Sequence, residues 1–227
     1  MKFEMHVHTA ENDIASYLSA KDMIGLYKDA GYDGIVITNH YFKLFFEWFA
    51  DELQGKSKEE IISRWLLGYR EAKKEGQKQD MVVLLGAEVR FDGNNINDYL
   101  IYGVDEEFFY NAPYLNELKN VHELYEVLPA QAMIVQAHPF RNGMTVSAPD
   151  FLEGIEVYNG GTEQFRNTMA ESYAKHYGKL QLSGSDTHCS AHVAKGGIYT
   201  EHMIHNSDDL IKVLRDKQYS LLEEKEI

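Results

Sequence analysis

Six short apolar runs in this chain each carry, at or near their C-terminal tips, a residue type that binds metal ions. They are FEMHVH (His6, His8), GIVITNH (His40), MVVLLGAEVR (Glu88), AMIVQAHP (His138), GIEVYNG (Glu156) and LQLSGSDTH (Asp186, His188). A short apolar run bounded by turn signals reads as a buried strand. One such strand with an imidazole or carboxylate at its tip is unremarkable. Six of them, spread from one end of the chain to the other, predict a barrel whose strand ends converge on one polynuclear metal site, at the face where barrel active sites are built.

The segments between the strands have helical patterning. Ser19 is placed to cap a helix that runs through Ala30 and stops at Gly31, with Met23, Leu26, Tyr27 and Ala30 forming its apolar stripe. Ser57 and Glu60 form a capping box ahead of IISRWLLGYREAKKEG, which Gly76 closes. Further helices are expected near Val121–Leu128, after a Thr162 cap, and from Ser207. A strand in NDYLIYG follows the polar DGNNIN turn. Alternation of strands and helices implies parallel strands with right-handed crossovers. An open sheet gathers ligands mainly at one switch point, so ligand types on six tips favour a distorted (β/α)7 TIM-like barrel. No repeat or linker divides the chain, and residues 1–227 are read as one domain.

With 227 residues, 44% of them hydrophobic, the chain has ample material for one large core. Its net charge of −14 argues against a sequence-independent grip on nucleic acid, which needs lysine and arginine against phosphates. A small anionic substrate drawn to bound cations stays compatible with that charge. No apolar run approaches the roughly 18 residues that span a bilayer, and MKFEMHVH does not look like a signal peptide. With the single cysteine, Cys189, this predicts a cytoplasmic protein with no membrane partner. Oligomeric state is open.

Residues two apart in a strand face the same side, so His6 and His8 can present both imidazoles to one ion, and Asp186 and His188 have the same spacing. Mixed imidazole and carboxylate donors suit Zn²⁺, Mn²⁺ or Fe²⁺. Glu88 ends a very apolar strand, where a carboxylate is costly unless paired or metal-bound; there it can bridge two ions. Lack of cysteine ligands argues against a closed structural zinc site. His122, His176, His192, His202 and His205 fall on helices or polar loops and are read as surface residues, and Cys189 as a spectator. The aromatic run YFKLFFEWFADEL reads as packing, with lining of the substrate site as the alternative.

Taken as a set, HVHT at 6–9, ITNH at 37–40, GAE at 86–88, AHP at 137–139 and GSDTH at 184–188 resemble the motifs of PHP (polymerase and histidinol phosphatase) domain metallophosphoesterases over nearly the whole chain. The resemblance implies a distorted (β/α)7 barrel with two or three divalent metal ions. It makes His6, His8, Glu88 and Asp186 ligands of one ion, and has Glu88 bridge to a second ion that also takes His138. His40 and His188 would hold a third, joined by Asp13. Phosphoester hydrolysis by metal-activated water would follow, with Glu88 in the catalytic group and Asp186 or His188 relaying protons.

Two positions depart from the family pattern. Asn39 stands where T-D-H is usual, and DYLIYG puts Asp98 where many members have histidine. Asp98 either ligates in its stead or leaves the second metal weak or absent. No glycine-rich phosphate cradle is present, so basic side chains must help; Arg141 and Arg166 are the candidates. Glu156 either contacts metal or substrate or hydrogen-bonds at the rim with Asn159, itself a candidate substrate contact. The expected activity is hydrolysis of a small phosphorylated metabolite or nucleotide. The alternatives are a nuclease acting on nucleic-acid ends and a catalytically weak, metal-containing binding or regulatory module.

Overall fold

The structure, a computed structural model, describes residues 1–93 and 96–224. Asn94 and Asn95, in the expected DGNNIN turn, lie outside the described residues. The fold is a mixed α/β single domain with two sheets. In chain order come β1 (Lys2–Val7), α1 (Ala20–Asp29), β2 (Gly34–Ile37), β3 (His40–Tyr41), α2 (Lys43–Trp48), α3 (Ala50–Leu53), α4 (Lys58–Trp65) and α5 (Leu67–Lys78). Next are β4 (Val82–Leu85), β5 (Ala87–Arg90), β6 (Asp98–Tyr102), α6 (Glu106–Asn111), α7 (Val121–Val127) and β7 (Met133–Gln136). The chain continues through β8 (Gly154–Asn159), α8 (Gln164–His176), β9 (Leu180–Gly184), β10 (Gly196–Tyr199), α9 (Ser207–Arg215) and β11 (Ser220–Glu223). Among the described residues, no helix is long and apolar enough to cross a membrane.

One sheet has the order β11-β10-β1-β2-β4 and the other β3-β5-β6-β7-β8-β9. The expectation of parallel strands throughout is corrected at four pairs: β1–β10, β10–β11, β5–β6 and β6–β7 are antiparallel. Between β5 and β6 the reason is length. Seven residues, 91–97, connect them, whereas a parallel crossover needs about a dozen or more. The antiparallel run places Asp98, the first residue of β6, opposite Arg90 at the ligand end. No closed barrel forms from these two sheets among the described residues.

Two expected side-chain caps form as the sequence places them. Ser19 accepts from the Asp22 backbone N–H, Gly31 follows with φ +77°, and the Ser57–Glu60 capping box has both its bonds. The long helix expected after Ser57 is interrupted at Leu66 and ends at Lys78 instead of Gly76. Glu163, not Thr162, occupies the cap position of α8; the Thr162 hydroxyl is bonded to Asn159 instead. Asn206 caps the last helix.

A smaller apolar cluster joins Phe3, Val36, Leu100, Val135 and Leu182, drawn from both sheets, to Leu210 and Leu214 of α9. The sheets therefore share one core. A larger cluster lies against α1, α4, α5 and α8, where Tyr27, Ile62, Tyr69 and Ala170 are buried. Full burial of each large apolar side chain stabilises the fold by about 1.5–3 kcal/mol, which holds the strand tips rigidly where the polar residues emerge.

Candidate metal centre

Glu88 is the hub. Its Oε1 lies 3.0 Å from His138 Nε2 and 3.4 Å from His6 Nε2; its Oε2 lies 2.9 Å from His40 Nε2 and 3.4 Å from His8 Nε2. Each carboxylate oxygen thus faces a different pair of imidazoles. Asp186 completes the inner wall, 3.3 Å from His8 Nε2 and 3.6 Å from His6 Nε2. Asp13 sits 2.9 Å from His40 Nδ1 and 3.3 Å from His188 Nε2.

Ligand atoms converge in three groups: His8, Asp13, His40 and His188; His6, Glu88 and His138; and His6, His8 and Asp186. His6 Nε2, both ring nitrogens of His8, His40 Nδ1 and Asp13 Oδ2 are buried without a hydrogen-bond partner. Short N···O separations between some of them lack the angles of a hydrogen bond. Buried polar atoms are normally satisfied, and these unpartnered nitrogens and the carboxylate oxygen fit ligands for divalent cations. Of the sequence-derived ligands, His6, His8, Asp13, His40, Glu88, His138, Asp186 and His188 come together here.

Asp98 does not join any of these groups. Arg90 holds it in a bidentate pair at 2.6 Å and 2.6 Å, and its Oδ2 is 3.9 Å from His138 Nε2. Burial, and then the negative charge of Glu88, push the Asp98 carboxyl up from the usual range.

Electrostatics within the cluster divide the histidines. Burial disfavours the His6 imidazolium, but Glu156, Asp186 and Glu88 outweigh it and hold its pKa well above the usual value. For His40, burial is likewise overcome, here by Asp13 and Glu88, and its pKa is pushed up to about 9. His8 goes the other way, because burial is reinforced by His40 and His188, on which its ring stacks at 4.0 Å and 4.4 Å. Burial would raise Glu88, Asp186 and Asp13. The surrounding imidazoles, with Arg141 at Asp186, outweigh it and keep all three well below the usual carboxylate range.

Two supporting acids hold this arrangement. Glu156 accepts from His6 Nδ1 (2.8 Å), the His138 backbone N–H (3.0 Å) and Asn159 Nδ2 (2.9 Å), the expected bond with Asn159 among them. Glu4 was missed in the sequence. It is fully buried and accepts from the Met5, His6 and Ser185 backbone N–H groups (2.8, 2.9 and 2.9 Å), from Tyr27 OH (2.8 Å) and from the Ser185 hydroxyl. Its parity was the available signal, since Glu4, His6 and His8 are two apart. Asn39, the departure from T-D-H, accepts from the Thr9 backbone N–H at 2.8 Å.

Arg141 reaches the cluster, with Nη2 2.6 Å from Asp186 Oδ2 and 2.9 Å from Asn159 Oδ1. Arg166 does not. It hydrogen-bonds the Phe140 carbonyl and Asn142 Oδ1 (2.5 Å) and ion-pairs with Glu163 (2.8 Å), bracing the loop that carries Arg141. His138 and Asp186 adopt positive φ, +26° and +53°, a conformation that non-glycine residues hold only where their surroundings enforce it. His40 and His188, 13% and 23% exposed, mark the open side.

A family model described as PHP-associated matches residues 164–219, from α8 through the loop bearing Asp186 and His188 to α9. A solved structure of PsfC from Pseudomonas syringae is 17% identical, with a TM-score of 0.69 over 97% of this chain and 90% of that one. A two-domain protein from Bacteroides vulgatus containing a predicted PHP-like metal-dependent phosphoesterase is 13% identical, with a TM-score of 0.69 over 99% of this chain and 65% of its own. A protein from Bifidobacterium adolescentis, assigned provisionally as a metal-dependent phosphoesterase, is 15% identical, with a TM-score of 0.58 over 94% and 95% of the two chains. The segment match supports the PHP family over residues 164–219, and the solved neighbours share the fold. No curated protein matches. The clustered histidines and acids point to divalent metal binding.

Proposed function

We propose that residues 1–227 form a metal-dependent phosphoesterase domain that hydrolyses a phosphoester in a small phosphorylated metabolite or nucleotide. The observation that carries this reading is the split coordination of Glu88, with each oxygen directed at its own pair of histidines. A carboxylate so placed would hold a cation through each oxygen. Two or three Zn²⁺, Mn²⁺ or Fe²⁺ ions suit the donor set, and when bound they supply an activated water and Lewis-acid stabilisation of phosphoryl charge.

The chain's own residues then have distinct tasks. His6, His8, Glu88 and Asp186 form the inner ligand wall, with His138 beside Glu88 and with Asp13, His40 and His188 on the outer side. Arg141 and Asn159 line the phosphate position, Arg141 as a permanent cation suited to oxyanion geometry. His188, part-exposed, would relay a proton to the leaving group only with its Nε2, 3.3 Å from Asp13, left without a cation; otherwise Asp186 takes that task. In this reading the two sheets are halves of a distorted (β/α)7 barrel. Chain continuity through Gly86 supports one seam, and the Val7–Thr187 bridge supports the other. A cytoplasmic setting agrees with the single cysteine.

The test is hydrolysis of small phosphomonoesters and of single-stranded DNA by protein loaded in turn with Zn²⁺, Mn²⁺ and Fe²⁺. The reading expects chelator-sensitive release of phosphate from a monoester. Failure with every ester and every ion would refute it, and turnover of DNA alone would replace it with a nuclease.

A further inference from the structure

His138 and His6 both turn Nε2 toward Glu88 Oε1, at 3.0 and 3.4 Å, but their outer nitrogens are held very differently. His6 Nδ1 meets the Glu156 carboxylate at 2.8 Å. His138 Nδ1 meets the Met144 sulfur at 3.1 Å. A thioether accepts weakly and cannot donate, so this contact favours a proton on Nδ1 and leaves Nε2 facing Glu88. The backbone fixes the sulfur there. Arg141 N–H bonds the His138 carbonyl and Met144 N–H bonds the Arg141 carbonyl, both at 3.0 Å, and Gln136 Nε2 holds the next carbonyl, that of Thr145, at 2.8 Å.

Few donors remain for a cation on this side. Besides Glu88 Oε1, the carboxylate oxygens within 4 Å of His138 Nε2 among the described residues are Asp98 Oδ2 and Asp186 Oδ2, both at 3.9 Å. Arg90 Nη2 holds the first at 2.6 Å; Arg141 Nη2, at 2.6 Å, and Asn159 Nδ2, at 3.3 Å, hold the second. His6 has only Nε2 left to offer, and it shares that atom with the group formed by His8 and Asp186. When Nε2 serves that group, Glu88 and His138 are left, one fewer than the three protein ligands of a catalytic zinc. The partner on Nδ1 matters as well. A carboxylate, carbonyl or water there raises the basicity of a ligating histidine, and a sulfur carries too little charge to do the same.

We propose that Met144 is a positioning residue of the metal centre, aiming His138 Nε2 at Glu88 without raising its basicity. Together with the Arg90–Asp98 pair, it keeps the cation position on the His138 side weak and exchangeable, while the positions built on His8 hold tightly. The proposal rests on the metal-centre reading above and adds which position exchanges and which residues set its strength.

The test is titration of the full-length protein with Zn²⁺ against a chromophoric chelator. Two classes of zinc should appear, differing in affinity by about tenfold or more. His138→Ala should abolish the weak class alone. Met144→Asp sets a carboxylate oxygen at the same bond position as the sulfur; it should tighten the weak class by about tenfold or more and leave the tight class unchanged. Met144→Leu, which keeps the packing and removes the acceptor, should not tighten it. Arg90→Gln, which takes the guanidinium from Asp98, should tighten the same class. A single class in the wild type, a weak class that survives His138→Ala, or one that neither Met144→Asp nor Arg90→Gln tightens overturns the proposal. Protein that binds no zinc at all overturns the metal-centre reading with it. Two classes that respond as described, in a protein that hydrolyses no phosphoester, would leave this assignment standing and remove the phosphoesterase reading.

Discussion

Glu156 accepts a hydrogen bond from His6 Nδ1 at 2.8 Å, which leaves His6 Nε2 facing Glu88 and Asp186. A carboxylate does not donate, so this contact favours a proton on Nδ1 and leaves Nε2 as the atom offered to a cation. Such supporting acids orient a metal-binding histidine and raise its basicity. Glu156→Gln, isosteric but uncharged, should weaken metal binding by about tenfold or more while the fold persists. Competition against a chromophoric chelator measures it; unchanged affinity would mean that Glu156 acts on packing alone.

Metal affinity should rise with pH. In the metal-free chain, His6 is held well above its usual pKa and His40 near 9, so both carry protons at neutral pH. His8 is held low and neutral, while Glu88 and Asp186 are already ionised. A cation must therefore displace the protons on His6 and His40, and this competition fades as pH rises through about 9 at His40. Calorimetry in buffers of different ionisation heat at neutral pH should show net proton release on metal binding. Affinity that stayed flat on raising the pH from neutrality would contradict the assignment.

Arg141→Gln should raise KM for a phosphomonoester by roughly ten- to a hundredfold, as expected for loss of a hydrogen bond to a charged group. Bound metal should stay near the wild-type amount, because Arg141 touches Asp186 but is not itself a ligand. Kinetics and elemental analysis of the same preparation separate the two effects. A loss of metal without a change in KM would make Arg141 a structural brace.

Gly184 sits where β9 passes under His6. A Cβ there would lie 2.5 Å from His6 Cβ and 2.6 Å from Glu156 Oε1. Gly184→Ala should destabilise the protein by about 1–3 kcal/mol, the cost of overpacking, and lower its metal content. Thermal unfolding and elemental analysis check it, and a variant with wild-type Tm and metal would show that the strand tip can yield.

Seven of the eight clustered side chains were legible in the sequence because they end apolar runs, and rigid strands bring such tips to one end; Asp13, in the loop after β1, came from the family resemblance alone. His6 with His8, and Asp186 with His188, also showed their spacing directly. What stayed hidden depends on contacts between distant segments. Arg90 meets Asp98 because seven residues force β5 and β6 to run antiparallel, and no local pattern announces that partner. Glu4 joins β1 to Ser185, 181 positions away, and looks like an ordinary surface acid in MKFEMHVH. Arg141 and Arg166 were indistinguishable as residue types; loop geometry turned one toward Asp186 and the other toward the Phe140 carbonyl. The strands β10 and β11 have little to mark them in sequence, since GGIY and SLLE are short and half apolar.

The central claim is that Glu88 bridges cations held by the strand-tip histidines. Anomalous diffraction from crystals of the purified protein, recorded at the absorption edges of zinc, manganese and iron, tests it most directly. The account predicts peaks on both sides of Glu88, one within bonding distance of His6, His8 and Asp186. A metal-replete crystal with no peak at that position would contradict it.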